Sequence, residues 1–242
     1  MEPEAYAAHF ALEDRHWWFR SKRALVTTLL RRYGRLAGPG LDVGCGTGGT
    51  LARLAAHGSW TGVDAAPLAL ALARRRGRLR LVGGSVEALP FPDAAFAACL
   101  CLDLLYHRGV GAEARALREC HRVLRPEGLL LVTDSAFAWL RSPHDGAVHG
   151  ARRYTRRQLV ALVVAAGFTP LFASYAYCLV FPAVLAVRLA RRARPGGSDL
   201  FPVPGPLNAV LGGLQRLERR LLRLAPLPFG SSVVVVARKA AA

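Results

Sequence analysis

The stretch Leu41-Asp42-Val43-Gly44-Cys45-Gly46-Thr47-Gly48-Gly49-Thr50 limits what this chain can fold into more than any other. It reads as the end of a buried strand, a glycine loop, and the start of a helix through Leu51, Leu54 and Ala55. Glycines 44, 46 and 48 carry no Cβ, so the backbone can approach a ligand closely and adopt φ/ψ values closed to other residues. The helix behind the loop offers unpaired N–H groups. A nucleotide-like ligand suits that arrangement. Gly44, Gly46 and Gly49 also satisfy G-x-G-x-x-G, the dinucleotide pattern, so the glycines alone do not name the ligand. Two acids help. Asp42, at the strand's carboxyl end, would oppose a pyrophosphate but suit a cation. Asp64 closes the next apolar run, Trp60-Thr61-Gly62-Val63, about 20 residues on, where an acid can bind ribose hydroxyls. The plainer alternative is that Asp42 caps the loop and Asp64 caps the next helix.

With 242 residues the chain can bury a sizeable core, and its alternating strand-like and helix-like segments favour a single α/β domain. A formal charge of +17 points toward nucleic acid or anionic lipid. Lysine occurs only at Lys22 and Lys239, however, so the charge is nearly all arginine in an alanine-rich chain. Genome-wide composition can produce that bias, and charge does not decide the partner. Cys45, Cys99, Cys101, Cys120 and Cys178 include no C-x-x-C spacing and no companion histidine pair, which argues against zinc or another metal. Cys99 and Cys101 share one face of an apolar strand, as small core residues do. The odd count suits a reducing compartment. The start, Met1-Glu2-Pro3-Glu4, lacks the apolar core of a signal peptide, so a cytoplasmic protein is expected.

Residues 4–35 read as helical and carry His16-Trp17-Trp18-Phe19-Arg20. Two adjacent tryptophans cannot both face one core from a single helix, so one is predicted to be exposed or to cover something. Either the helix packs on the sheet edge, or it is a lid whose Trp17 and Trp18 attract a cation while Arg20 meets a carboxylate. Beyond the loop, Pro67 opens a helix through Leu72 and Ala73. Residues 79–82 and 96–102 read as strands, 112–125 as a helix, 126–128 as a Pro-Glu-Gly turn and 129–133 as a fifth strand. This repetition predicts a parallel sheet with helices on both faces and ligands at the carboxyl strand ends. Those ends carry Asp42, Asp64, Ser85 to Glu87, Asp103 and Asp134. Any one acid could be an ordinary cap, but they converge on one edge of the sheet.

At this point residues 41–167 resemble the class I S-adenosylmethionine-dependent methyltransferases. The resemblance rests on the glycine loop, on Gly62-Val63-Asp64, on Glu87-Ala88-Leu89-Pro90-Phe91, on Asp103 to His107, and on Val123-Leu124-Arg125-Pro126-Glu127-Gly128. It implies a Rossmann-like seven-stranded sheet in the order 3-2-1-4-5-7-6 with the last strand antiparallel. It also implies S-adenosylmethionine as cofactor. The glycine loop would wrap the methionine part, through Asp42, Gly44, Cys45, Gly46 and Gly48. Asp64, with Ala65 beside it, would hold the ribose, and Ser85, Val86 and Glu87 would border the adenine; Leu102 and Asp103 complete the implied set. Many members have Asp where this chain has Ser85, a weaker acceptor for the adenine amino group.

The second half narrows the kinship. Trp139-Leu140-Arg141-Ser142-Pro143-His144-Asp145, His149 and Arg152-Arg153-Tyr154-Thr155 are similar to a bacterial subgroup that shares the His-Trp-Trp-Phe start. The loop of residues 135–154 follows the fifth strand and should overhang the site. Its histidines, Asp145 and arginines could bind an anionic or hydroxylated substrate, or could bond the loop to itself or to the amino-terminal lid. Thr155 and Gln158 form a capping box that opens the next helix. Strands are expected at 168–176 and 231–237, with a helical insertion at about 178–229 between them. Residues 1–35 form the expected lid and 36–242 the methyltransferase domain. In the insertion, Leu207, Val210, Leu211, Leu214, Leu217, Leu221 and Leu224 recur at helical spacing opposite Arg216, Arg219, Arg220 and Arg223, while Arg188, Arg191, Arg192 and Arg194 follow a shorter apolar run. Such a helix can lie on an anionic membrane surface or over a lipid-linked substrate; packing on the sheet is the alternative.

The chemistry expected is in-line attack by a substrate nucleophile on the sulfonium methyl, with the protein orienting both reactants. An oxygen nucleophile would also need a base, for which His107, His144 and His149 are the candidates. Trp17, Trp18, Arg20, Tyr106, Asp145, Arg153 and Tyr154 form the candidate substrate-binding set. After the fourth strand stands Asp103-Leu104-Leu105-Tyr106, not the Asn/Asp-Pro-Pro-aromatic sequence of amino-directed nucleic-acid enzymes. A small-molecule, lipid-linked or sugar-linked acceptor is therefore favoured over RNA. An RNA methyltransferase, a nicotinamide oxidoreductase and a non-enzymatic membrane-surface protein remain as rivals.

Overall fold

Alternation along the central strands decides where the helices go. In β1 (Gly40–Val43), Leu41 and Val43 pack on one side of the sheet, together with Cys99 and Cys101 of β4 (Phe96–Leu102) and Leu130 and Val132 of β5 (Leu124–Ser135). Ala98, Leu100, Leu102, Leu129 and Leu131 belong to the core on the other side. Both faces are apolar and both are covered. Helices α5 (Glu113–Val123) and α6 (Arg156–Ala165) cover the first face. Helices α2 (Trp17–Tyr33), α3 (Gly49–Ala55) and α8 (Gly205–Leu224) cover the second.

The structure, a computed structural model, describes residues 2–34, 36, 38–142, 145–146, 148–192 and 201–241. Strands β2 (Trp60–Asp64) and β3 (Arg80–Gly83) extend the sheet past β1, while β6 (Phe168–Ala176) and β7 (Ser232–Lys239) extend it past β5. The order is β3-β2-β1-β4-β5-β7-β6. Strands β1 to β5 run parallel, and β7 is antiparallel to both of its neighbours. This is the expected topology. Register sets Asp42 between Gly62 and Leu100, at the centre of the sheet.

Three local expectations change. The single helix expected over residues 4–35 is two, α1 (Pro3–Leu12) and α2. His16 breaks it: its backbone is extended, and its Nδ1 accepts the Trp18 N–H, capping α2. Helix α1 buries no residue, whereas α2 buries Phe19, Leu25, Val26, Leu29 and Leu30. Within the expected lid, α2 is thus a layer of the core, whereas α1 is not. The turn at 126–128 falls inside β5 as an irregularity: pairing passes from Phe96↔Leu124 to Ala98↔Leu129, and Glu127 takes a φ of +60°.

The insertion contains α7 (Phe181–Arg192) and α8. On α8 the predicted apolar stripe is not the buried one. Gln215, Glu218 and Leu222 face the protein, with Leu211 and Leu214 partly buried beside them. Leu207, Val210, Leu217, Leu221 and Leu224 are exposed. Arg194 lies outside the described residues. Among the described residues, no helix is long and apolar enough to cross a membrane.

Candidate active site

A cavity of about 390 Å³ opens at the carboxyl ends of β1 and β4, within the roughly 300–1,000 Å³ typical of small-molecule sites. Asp42, Gly44, Cys45 and Gly46 line it from the glycine loop, and Leu102, Asp103 and Tyr106 from beyond β4. Gly46 takes a φ of +55°, and a Cβ there would meet nothing within 4 Å. That position is open cradle, available to a ligand. Gly48 serves packing instead: a Cβ would lie 2.9 Å from that of Ala73 on α4 (Pro67–Arg74).

Asp64 grips this loop from the side. Its carboxylate accepts the Gly46 and Ala66 N–H groups, each at 2.8 Å. Gly48, Asp64, Ala65, Ser85, Val86 and Glu87 do not belong to the cavity wall. The Ser85 hydroxyl accepts the Glu87 N–H, and the Glu87 carboxylate accepts those of Gly111 and Ala112 just before α5. Carboxylates so engaged keep lone pairs for ligand hydroxyls.

The charged groups on the wall are arranged around Asp42. Burial pushes its carboxyl up to about 7, against the nearby Lys22 charge, with Asp64 and Glu13 reinforcing the rise. Asp103, at a φ of +49°, accepts the Thr133 hydroxyl at 3.0 Å and pairs with the Lys22 ammonium at 2.5 Å. That ammonium lies 5.1 Å from the centre of the Trp18 ring. The cation meeting a carboxylate is therefore Lys22; Arg20 is exposed and off the wall, because the helical turn points it away. Both Trp17 and Trp18 line the cavity and are half-buried. Of the two alternatives, exposure or covering something, the rings take the second: α2 begins at Trp17, and Tyr177 meets both rings at 6.4 and 6.3 Å.

Sequence reasoning missed Glu13. Its carboxylate lies buried at the α1–α2 elbow, where it accepts from the Thr47 hydroxyl at 2.7 Å and from Arg76 at 2.6 Å. A Cβ on Gly49 would fall 2.6 Å from that carboxylate, so this glycine makes room for the acid. Burial raises the Glu13 pKa while Thr47 and Arg76 oppose the rise. No spacing in the sequence links Glu13 to the loop it touches.

Asp145 and Arg153 also stand on the wall. They form a two-point ion pair at 2.8 and 3.0 Å, with only 6% and 1% of their side chains exposed. They bond the overhanging loop to itself while facing the cavity. Tyr154 does not reach it. Its hydroxyl lies 3.1 Å from both the Leu105 carbonyl and the Glu113 carboxylate, in the core. Of the candidate bases, His107 and His149 lie off the wall with their rings tilted toward each other, centroids 5.6 Å apart, and His149 is 2.6 Å from the Glu2 carboxylate. Burial draws His107 down to about 4. His144 lies outside the described residues. Among the described residues, the histidines on the wall are His9 and His16. Burial lowers the His16 pKa, and its ring bonds the Trp18 N–H and the Phe201 backbone.

Sheet order, glycine loop and cavity together define a Rossmann-like methyltransferase site. The profile of a methyltransferase domain family matches residues 41–132. A malonyl-(acyl-carrier protein) O-methyltransferase from Erwinia pyrifoliae is 34% identical over 187 residues, covering 74% of this chain and 70% of that protein. Among solved structures, the (4+2)-cyclase SpnF is 26% identical with a TM-score of 0.62, covering 94% of this chain and 85% of its own. A methyltransferase from Thermotoga maritima has a TM-score of 0.65 over 98% of this chain and 95% of its own, and at 20% identity shows the fold alone. The chain belongs to the S-adenosylmethionine-dependent methyltransferases. S-adenosylmethionine is its cofactor, and the open cradle at Gly46 beside the buried Asp42 carboxyl fits that group.

Proposed function

We propose that this enzyme methylates an acceptor carrying an apolar chain, of the small-molecule, lipid-linked or sugar-linked kind. One observation carries the reading. The cavity that holds the glycine loop is also lined by Val180, Ala183, Val184, Val187, Leu207 and Leu211, from β6's end through α7 into α8. Such a lining would desolvate a chain of methylenes at about 0.8 kcal/mol each.

When bound, S-adenosylmethionine supplies an electrophilic methyl group on a positively charged sulfur. Gly44, Cys45 and Gly46 would hold its amino-acid part, with Asp42 as the counter-charge. Asp64 would take the ribose, and Ser85 to Glu87 the adenine. The remaining task is to orient the acceptor and exclude water. Trp17, Trp18 and Tyr106 share the cavity wall with the loop and the apolar lining. His16 is poorly placed to take a proton, since burial lowers its basicity and its Nδ1 is bonded as a helix cap. A carboxylate acceptor is ionised near neutral pH and needs no base, and the Erwinia relative is an O-methyltransferase of a malonyl group.

A tritiated-methyl transfer assay on acyl thioesters, free fatty acids, quinones and sugar-linked lipids tests this reading. Label should enter acceptors with long chains, and shortening the chain should raise KM. Equal turnover of acceptors without apolar chains would refute it.

A further inference from the structure

Among the described residues, none covers the outer face of α8. Leu207, Val210, Leu217, Leu221 and Leu224 fall in one stripe at steps of three and four residues, completed by the half-buried Leu214. Val210 is 60% exposed, Leu217 47% and Leu224 84%. Isolated exposed leucines are ordinary; a five-turn helix with its apolar side outward is not. Beside the stripe run Arg216, Arg220 and Arg223, all exposed. The helix has one acid, Glu218, and it is turned inward, accepting the Tyr177 and Leu179 N–H groups. The exposed face is therefore apolar with cations only along its flank. That combination complements the acyl–headgroup boundary of a bilayer containing anionic lipid, where leucines enter the hydrocarbon and arginines meet phosphates.

We infer that α8 docks this enzyme onto anionic phospholipid membranes. Leu207 belongs both to the exposed stripe and to the cavity wall, so docking would set the cavity mouth against the lipid, and an acceptor with an apolar tail would enter without crossing water. The inference rests on the acceptor reading above only for that last step. Membrane binding itself is measured without methyl transfer, so the two fail separately.

The test is flotation of the full chain with phosphatidylcholine vesicles, with and without phosphatidylglycerol. A protein of charge +17 adheres to anionic surfaces in any case, so the decisive variant removes apolar contact: Leu217→Glu with Leu221→Glu, two residues off the cavity wall. An unchanged melting temperature and unchanged adenosylhomocysteine binding report that the pair still folds. Binding to the phosphatidylglycerol vesicles should persist in moderate salt and fall by about tenfold or more in the double variant. Arg74→Gln with Arg78→Gln changes the charge equally, by two units, away from α8, and should leave most binding intact. Equal flotation of both double variants would overturn the inference, as would binding abolished by salt alone. So would a dimer in sedimentation that the leucine variant dissolves, or RNA that competes the vesicles off, because the face would then serve a second copy or a nucleic acid.

Discussion

Asp42 is the residue whose ionisation couples most directly to ligand binding. Burial holds its carboxyl at about 7 against an ordinary 3.8. Between those values the folded chain keeps a proton that the unfolded chain has lost, so this group's contribution to stability falls as pH rises through the window. A cation above the glycine loop favours the ionised form. Affinity for adenosylhomocysteine, whose amino group is cationic, should therefore climb roughly tenfold between about pH 6 and pH 8. Asp42→Asn should flatten that climb and remove the matching fall in stability of the ligand-free enzyme. Calorimetric titration across the range checks both. An equally steep profile in the variant would assign the dependence to another group.

At the scale of the elements, Glu218 fastens α8 to the end of β6. Its carboxylate accepts from the Tyr177 and Leu179 N–H groups, and Gln215 donates to it at 3.2 Å. Glu218→Ala would leave two backbone donors near the core without an acceptor, a loss of about 2–4 kcal/mol in urea unfolding. Glu218→Gln, which keeps one acceptor, should lose less. A change under about 0.5 kcal/mol in the alanine variant would mean that water replaces the carboxylate. The same helix shows where sequence reading stops. Strands and loop were legible because alternating Leu41, Val43, Cys99 and Cys101 and the glycines at 44, 46 and 48 encode local geometry. Periodicity on α8 reveals an apolar stripe but not its direction, and the buried side is set by Glu218, an acid that no hydrophobic pattern selects. Glu13 and Lys22 were illegible as site residues for a related reason. They reach the loop and Asp103 through the packing of α1 and α2, across sequence distances that leave no spacing to read.

Considered whole, the molecule sets its amino-terminal residues over a site built by the sheet. Tyr6, His9 and Glu13 line the cavity beside the glycine loop, so ligand bound there should order α1. Hydrogen exchange in residues 3–16 should slow severalfold with saturating adenosylhomocysteine, together with exchange in residues 44–50. Slowing in the glycine loop alone would show that α1 does not close over the ligand. Another consequence lies in the pairing of β6, which among the described residues has β7 as its one neighbouring strand. During synthesis β6 emerges more than fifty residues ahead of that neighbour, and until β7 arrives it presents an unpaired backbone edge to the crowded surroundings of the ribosome. The nascent enzyme thus carries its greatest risk of sticking to other chains late, after most of its domain has already been made.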